Sequence, residues 1–338
     1  MRAQQRFGVF FGLAVLGAVL GAFLWYRAGE KQPTTAIERG LSYLATAYSP
    51  YHYADPYLEY VYPGEMLTCP LKDCHITYRV LDAFFDVLFL KQENSSASLL
   101  GRQLQDASAT LNALLPEWRT ANLSNTILGA EKEGVALDTA CILGYVERDV
   151  ALADHVATFL TPDGNWLNDD LYADDLWRNI ADETWCIRLF AVTHQLAGHV
   201  PNLVETKIRE TTTFLADNHQ TNDQIGVLYH MILLLADVND PRYQSTLDAY
   251  VTQLATISQQ SEVHEQTMTL ANILEALIRG GYDDHTLLER IATILQNRQQ
   301  ANGSWFSSTT QESFPVFTTF RVTLALTSYN QNATASSP

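Results

Sequence analysis

Apolar residues along most of the chain recur at helical spacing, in segments of two alternating kinds. In the first kind they form a single stripe, as with Leu287, Ile291 and Leu295, which is typical of a helix with one face on a core and one face in water. In the second kind, such as 225–236 and 316–326, apolar residues occur on nearly all sides. A helix of that kind is covered by protein on most sides. The alternation predicts outer helices paired with inner helices.

The pattern over residues 34–330 predicts an all-α fold, an (α/α)6 toroid of six helical hairpins. The inner helices would surround a central axis, and the longest loops would meet at the rim where the inner helices begin. The predicted pairs are 34–48 with 73–91, 97–115 with 131–147, 149–160 with 181–197, 202–218 with 222–237, 241–258 with 263–279, and 284–300 with 313–329. Residues 331–338 are predicted to form a disordered tail.

The N-terminal segment predicts a membrane anchor. Residues 7–26 are uncharged and long enough to cross a hydrocarbon core, and Arg2 and Arg6 precede them. A cleaved signal peptide and a buried helix of the fold are the alternatives, but the segment lacks a small-x-small cleavage site and has no polar face. The predicted order is a cytoplasmic N-terminus at 1–6, one transmembrane helix at 7–26, a linker at 27–33 and an extracytoplasmic body.

The composition of the chain limits the kinds of partner that it can bind. Hydrophobic residues make up 47% of the chain, enough for a large core, and the formal net charge is −17. An acidic chain with no run of Lys and Arg repels the phosphates of DNA and RNA. The sequence therefore predicts no nucleic-acid partner, and leaves the membrane and a small-molecule or glycan ligand.

The four cysteines fall into two groups. Cys69 and Cys74 flank a short loop that a disulfide would close in an oxidising compartment, and the sequence leaves open whether they are bridged. Cys141 and Cys186 lie in apolar helical segments and are predicted to be buried free thiols. Paired C-x-x-C spacing is absent, so the sequence predicts no metal site and no cofactor.

One motif carries a family resemblance. The segment QQANGSW at 299–305 resembles the Q-x3-G-x-W repeat of squalene–hopene cyclases and related terpenoid cyclases, and DGNW at 163–166 resembles a degenerate copy. The resemblance covers two of the six units and implies the α/α-toroid superfamily, which includes protein prenyltransferase β-subunits. In such a motif Gly permits a sharp turn and Trp packs under the next hairpin. The D-x-D-D acid signature of the triterpene cyclases and the zinc ligands of the prenyltransferases have no counterpart.

Acidic residues gather near the predicted starts of the inner helices. Helix capping explains any single one of them, because carboxylates stabilise helix N-termini. As a group they also place paired carboxylates at one rim, where burial raises the pKa of one carboxyl so that it acts as an acid while another acts as base or nucleophile. The candidate catalytic residues are Asp73, Asp182 and Glu183. The candidate substrate-binding residues are His75, Arg79, Trp185, Arg188, His230, Glu265 and Arg321.

Deeper ionisable residues give a second signal. Every predicted inner helix carries at least one, in the set Arg79, Asp82, Asp138, Arg188, His230, Glu275 and Arg321. Because buried charges are costly unless paired, the set predicts either a satisfied ion network or a water-filled cavity, and we favour the cavity. Aromatic residues in the long loops would supply the flat faces on which sugars stack.

Three functions fit these features. The first is a membrane-anchored extracytoplasmic glycan-active enzyme, a hydrolase or lyase that uses paired carboxylates. The second is a non-catalytic binding or scaffold module. The third is a terpenoid cyclase-like or prenyltransferase-like enzyme, which the repeat favours and the missing signatures oppose.

Overall fold

The computed structural model describes residues 35–49, 52–53, 115–116, 119–120, 123–124, 135–160, 176–195, 198–309 and 315–335. These residues are helical apart from turns and two pairs of two-residue strands, one antiparallel and one parallel. The all-α prediction is therefore confirmed. The strand pairs are Tyr48–Ser49 with His52–Tyr53, and Leu123–Ser124 with Val135–Ala136.

The described part of the chain contains ten α-helices. Two 3-10 helices, at Pro241–Tyr243 and Val263–Glu265, lie between them. The α-helices are α1 (Ala36–Ala47), α2 (Leu137–Glu147), α3 (Val150–Ala157), α4 (Leu176–Thr193), α5 (Val200–Asp217), α6 (Thr221–Val238), α7 (Gln244–Ile257), α8 (Thr267–Arg279), α9 (His285–Asn297) and α10 (Pro315–Ala335). The last helix ends at Ala335, so the predicted tail is helical up to that residue.

The even-numbered helices pack against one another in chain order. Helix α2 contacts α4, α4 contacts α6, α6 contacts α8, and α8 contacts α10. Each of the odd-numbered helices α3, α5, α7 and α9 packs against the two even-numbered helices that flank it in the chain. Helix α10 also packs against α1. The predicted alternation of inner and outer helices thus matches the contacts.

Burial follows the two apolar patterns. In α6 most residues from Ile225 to Leu235 are buried, around the whole circumference of the helix. In α9 the buried residues are confined to one stripe that includes Leu287, Ile291 and Leu295. The difference arises because α6 packs against four helices, α4, α5, α7 and α8, whereas α9 has protein on one side.

The QQANGSW segment connects α9 to α1. Trp305 is fully buried, and its Nε1 donates to the carbonyl oxygen of Leu295 at 2.6 Å. The Gln299 amide donates to the carbonyl oxygen of Ala36 at 2.8 Å and accepts from Nε of Arg39 at 2.8 Å. Gly303 has φ +92°, and a Cβ there would lie 2.3 Å from the Arg39 carbonyl oxygen. The predicted structural role of this motif is confirmed for Trp305.

The prediction of free thiols at Cys141 and Cys186 is wrong. These residues form a disulfide between α2 and α4, across a sequence separation of 45 residues. Both side chains are fully buried, as predicted. Apolar periodicity places a residue inside the core, but it does not show which buried residue of a neighbouring helix it faces. Cys69 and Cys74 lie outside the described residues.

The predicted membrane anchor at 7–26 also lies outside the described residues, as do the segments 1–6 and 27–33. Within the part of the chain that the structure describes, every helix is too short or too polar to span a bilayer. From Ala36 onward the chain forms one compact unit. The anchor therefore stays a prediction.

Candidate site on the even-numbered helices

Ten side chains from the five even-numbered helices form one set of polar and aromatic contacts, which we name the inter-helix network. Each helix places its members on the face that meets the neighbouring even-numbered helices. The members are Tyr145 on α2, Trp185 and Arg188 on α4, Tyr229, His230 and Asp237 on α6, Asn272, Glu275 and Arg279 on α8, and Arg321 on α10.

Asp237 is the centre of one half of the network. Its Oδ2 accepts from Nε of Arg188 at 2.6 Å and from the hydroxyl of Tyr145 at 2.9 Å. Its Oδ1 pairs with the guanidinium of Arg279. Burial alone would raise the pKa of Asp237, but the charges of Arg188 and Arg279 and these hydrogen bonds outweigh it and hold the pKa below its usual range. The carboxylate is therefore ionised and has donors on both oxygens.

Arg188 is fixed by stacking as well as by its ion pair. Its Cζ lies 4.0 Å from the centroid of the Trp185 ring and 4.4 Å from that of Tyr145. Burial lowers the pKa of Arg188, but the charge of Asp237, its hydrogen bond and the neighbouring Tyr145 and Tyr229 together raise it by more, so the guanidinium stays charged. Its Nη1 is buried and has no hydrogen-bond partner among the described residues. One donor of a rigidly held cation is thus left unused.

Tyr229 is the centre of the other half. Its hydroxyl donates to Oε2 of Glu275 at 3.1 Å and contacts Nη2 of Arg321. Arg321 also donates from Nε and Nη2 to Oδ1 of Asn272, at 3.2 Å each, and its Nη2 lies 3.4 Å from Oε2 of Glu275. Burial raises the pKa of Tyr229, and the charge of Arg321 opposes that shift only in part. Tyr229 is therefore a neutral hydroxyl held between a cation and an anion.

His230 joins the two halves. Its ring lies edge-on to those of Trp185 and Tyr229, with centroid distances of 6.4 and 5.1 Å. Burial and the charges of Arg188 and Arg321 lower the pKa of His230 to about 3. The ring is therefore neutral at pH 7, and its Nδ1 is buried without a hydrogen-bond partner among the described residues.

Among the described residues, the network holds three guanidiniums, Arg188, Arg279 and Arg321, and two carboxylates, Asp237 and Glu275. A site of this kind attracts an anionic group.

The deeper ionisable residues that the structure describes form an ion network, and the central cavity stays a prediction. Arg188, His230, Glu275 and Arg321 do lie together, and three of them take part in ion pairs within the network. The cavity found beside the network, of about 220 Å³, lies at its Arg279 end, between Asn239, Tyr243 and Gly280. Arg79 and Asp82 and the side chain of Asp138 lie outside the described residues.

The predicted rim acids are placed differently. Glu183 is buried, and its carboxylate pairs with Nζ of Lys207 on the outer helix α5. Lys207 also bonds Oε2 of Glu210 at 2.5 Å. Glu183 therefore serves a contact between α4 and α5. Glu265 is exposed in the 3-10 turn before α8. Asp73, His75 and Arg79 and the side chain of Asp182 lie outside the described residues.

Four of the predicted site residues thus meet in the network: Trp185, Arg188, His230 and Arg321. Sequence reasoning missed Tyr145, Tyr229, Asp237, Asn272 and Arg279 as members of a site. Of these five, only Asp237 could have been identified from the sequence. A carboxylate in the last turn of a helix is disfavoured by the helix dipole and therefore needs a specific partner. Tyr229 lies in an apolar run, where it is indistinguishable from a core residue.

The described residues contain no group of three or more His, Cys, Asp and Glu side chains arranged to hold a metal ion. Comparison with protein-family models and with curated proteins finds no match to this chain. The resemblance of residues 299–305 to the terpenoid cyclase repeat stays an expectation. The function therefore rests on the chemistry of the inter-helix network.

Proposed function

We propose that this protein is a membrane-anchored, extracytoplasmic (α/α)6 toroid that cleaves an acidic glycan by elimination, as a lyase. One observation carries the proposal. The hydroxyl of Tyr229 is shared by Arg321 and Glu275, and the adjacent residue, His230, presents a neutral ring with an unpartnered Nδ1. An acid, a base and a cation are thus close together on the inner helices.

Two packing relationships support the closed ring. Each even-numbered helix packs against the next one, as the inner helices of a toroid do. The last of them, α10, packs against the first outer helix, α1. In a closed toroid the last hairpin and the first are neighbours. The contacts of Gln299 with Ala36 and Arg39 lie at this junction. Residues 73–91 and 97–115 would fill the remaining positions.

The disulfide supports an extracytoplasmic location for the folded body. Disulfides persist in oxidising compartments and are rare in the cytosol, and the bridge between Cys141 and Cys186 joins two adjacent inner helices. The predicted anchor at 7–26 would hold the body at the outer face of the membrane. Cell fractionation tests this placement: the full chain should sediment with membranes, and a chain that begins at residue 33 should be soluble and folded. Aggregation of the shorter chain would contradict the anchor.

The carboxylates near the network suit elimination better than hydrolysis. A hydrolase needs an acid and a second carboxylate placed for attack or for activating water. Asp237 already accepts from three partners, Glu275 accepts from two, and Glu183 pairs with Lys207 on α5. Elimination beside a sugar carboxylate needs instead a cation or amide to neutralise that carboxylate, a base and an acid.

The residues fit those roles as follows. Arg321 and Asn272 would bind the carboxylate of a uronic acid, which makes the proton on the adjacent carbon, C5, more acidic. Nδ1 of His230 would take that proton, and the Tyr229 hydroxyl would donate one to the oxygen that leaves C4. The C4–O bond breaks and a C4=C5 double bond forms. A proton has moved from carbon to the leaving oxygen, and no water is consumed.

A matched pair of variants tests the proposal. Tyr229→Phe removes the hydroxyl in the network, and Tyr250→Phe removes a buried hydroxyl on α7, outside the network. We expect the wild type to form unsaturated products from uronic acid oligosaccharides, which absorb ultraviolet light. Loss of general acid catalysis in Tyr229→Phe should lower kcat by about 10²–10⁴-fold. Tyr250→Phe should retain the wild-type rate.

The same assay separates the alternatives. Saturated products would indicate a hydrolase with paired carboxylates. Binding without any product would indicate a non-catalytic module, which the pairing of both network carboxylates also favours. An isoprenoid substrate would need an apolar aromatic pocket, and three guanidiniums in the network argue against it.

A further inference from the structure

We propose that the cavity at the Arg279 end of the inter-helix network binds a small hydroxylated carboxylate, no larger than one uronic acid residue. The cavity lies where α6 and α8 end and α7 begins. Tyr229, His230 and Arg321, which carry the proposed function, are not among the residues that line it. The site would therefore bind its ligand whether or not the protein cleaves a glycan.

Arg279 supplies the cation of this site. Its side chain is 38% exposed, whereas those of the other two described guanidiniums of the network, Arg188 and Arg321, are 4% and 12% exposed. Of the three, Arg279 is thus the one that a dissolved ligand reaches. Its Nη2 pairs with Oδ1 of Asp237, and its Nε and Nη1 make no hydrogen bond to a described residue. A guanidinium held by one nitrogen has unused donors beside the cavity.

The charges around Arg279 favour an anion. Asp237 pairs with two guanidiniums, those of Arg188 and Arg279, so these three side chains together carry one net positive charge. Asp240 also lines the cavity, but both of its oxygens accept hydrogen bonds from Arg242, whose charge balances it. A guanidinium forms stronger hydrogen bonds with a carboxylate than with a neutral oxygen. A ligand carboxylate at Arg279 would balance the remaining charge.

Two amides in the lining suit hydroxyl groups. Asn239 follows the last residue of α6 with φ 48°, a left-handed conformation that Asn tolerates. Its side-chain amide makes no hydrogen bond to a described residue. Gln244 donates from Nε2 to Asp248 at 2.8 Å, which leaves its Oε1 as an acceptor. Because a hydroxyl both donates and accepts, a hydroxy acid uses this lining more fully than an apolar acid does.

The size of the cavity limits the ligand. Its volume is about 220 Å³, below the roughly 300–1,000 Å³ of pockets that hold drug-sized molecules. Leu235, Tyr243 and Leu247 are buried and give the cavity an apolar part, which suits the carbon face of a sugar ring. The cavity is therefore matched to a single small hydroxy acid and is too small for an oligosaccharide.

Binding measurements on the full chain test the site without requiring turnover. Calorimetry would use galacturonate as the probe and compare it with two molecules of similar size. Galactose lacks the carboxylate, and cyclohexanecarboxylate lacks the hydroxyl groups. Inorganic sulfate shows whether any anion is sufficient. We expect galacturonate to bind at least about tenfold more tightly than each of the other three, because a hydrogen bond to a charged group contributes roughly that factor.

A variant pair locates the binding. Arg279→Gln removes the charge at the cavity, and Arg290→Gln makes the same change at an exposed position on α9, outside the cavity. Arg279→Gln should weaken the binding of galacturonate by at least about tenfold. Arg290→Gln should leave it unchanged. Circular dichroism and the unfolding midpoint of each variant show that it is folded.

A second variant avoids the ion pair with Asp237. Asn239 is exposed and lies outside the network, and Gly adopts its left-handed backbone without strain. Asn239→Gly should therefore fold as the wild type does. It should weaken the binding of galacturonate and leave that of cyclohexanecarboxylate unchanged, because only the amide is lost.

Each outcome either supports the cavity site or overturns it. No binding of galacturonate, equal affinity for sulfate, or equal weakening by Arg279→Gln and Arg290→Gln overturns it. Binding that Arg321→Lys removes and Arg279→Gln retains also overturns it, and supports the carboxylate position of the proposed function instead. Binding that Arg279→Gln and Asn239→Gly weaken, in a wild type that forms no unsaturated product, supports the cavity site and rejects the lyase.

Discussion

Arg188 on α4 and Asp237 on α6 form an ion pair in which both side chains are almost fully buried, with exposed fractions of 4% and 5%. The pair is 49 residues apart in sequence, and its Nε and Oδ2 atoms are 2.6 Å apart. A buried pair of this kind stabilises a fold less by its own attraction than by the cost of losing one partner. It also orients the Arg188 guanidinium within the inter-helix network.

Replacing Asp237 by Asn should therefore destabilise the protein strongly. The substitution leaves Arg188 as an uncompensated buried cation, and the expected loss is about 3–5 kcal/mol of the free energy of unfolding. Asp240→Asn is the control, because its partner Arg242 is 58% exposed, and water screens such surface pairs so that they contribute little to stability. Urea unfolding followed by circular dichroism measures both. Equal midpoints for the two variants would show that the buried pair has no special role.

The junction between α9 and α1 should be sensitive to one methyl group. Gly303→Ala combines a φ of +92° with a Cβ that would lie 2.3 Å from the Arg39 carbonyl oxygen, so we expect a loss above the ~1 kcal/mol typical of a strained backbone alone. Gly281→Ala has a φ of +75° and no atom within 4 Å, and Gly198→Ala has no atom within 4 Å and no positive φ. The order of unfolding midpoints should be Gly198→Ala, then Gly281→Ala, then Gly303→Ala as the lowest. Any other order would mean that the motif does not join these helices closely.

The disulfide should contribute measurably to stability. Closing a loop across a separation of 45 residues corresponds to about 4 kcal/mol in the chain-entropy relation. The double variant Cys141→Ala with Cys186→Ala should lower the free energy of unfolding by an amount of that order, and reductant should have no further effect at this position. Peptide mapping of the unreduced wild type should recover the two cysteines in one linked fragment. Recovery of both as free thiols would contradict the bridge.

The stability of the folded protein should decrease as the pH is lowered, because of His230. The pKa of this residue is about 3 in the folded protein, against 6.5 as the ordinary value. Between these pH values the unfolded chain takes up a proton that the folded protein does not. The free energy of unfolding therefore decreases as pH falls from 6.5 towards 3, by up to about 1.4 kcal/mol per pH unit.

A comparison of two variants isolates this effect from the carboxylates that titrate in the same range. His230→Gln should flatten the dependence between pH 6.5 and pH 4 relative to the wild type, whereas His219→Gln, at an exposed position, should leave it unchanged. Chemical unfolding at a series of pH values gives both curves. Parallel curves for His230→Gln and the wild type would mean that the pKa of His230 is the same in the folded and unfolded protein, and hence that burial does not lower it.

The helices and their alternation were predictable from the sequence because burial acts on each helix separately. A helix covered on most sides, such as α6, must be apolar all round, and one covered on one side, such as α9, must be striped, whatever the identity of its neighbours. The same reasoning placed Cys141 and Cys186 in the core. The Gly and Trp of residues 299–305 marked a turn and an anchor, because a positive φ and a large buried ring limit the residues that fit.

The pairing of side chains between helices was decided by the tertiary structure. Whether Arg188 meets Asp237, Cys141 meets Cys186, or Glu183 meets Lys207 depends on the rotation and offset of two helices that are distant in sequence. Periodicity along one helix contains no information on either quantity. The sequence therefore showed that the inner helices carry charges, and it assigned Trp185, Arg188, His230 and Arg321 to a site. Only the packing of the helices brings these residues into contact through Tyr229 and Asp237. Two groups form an ion pair or a hydrogen bond when their atoms lie within about 3 Å of each other, whatever their separation in sequence.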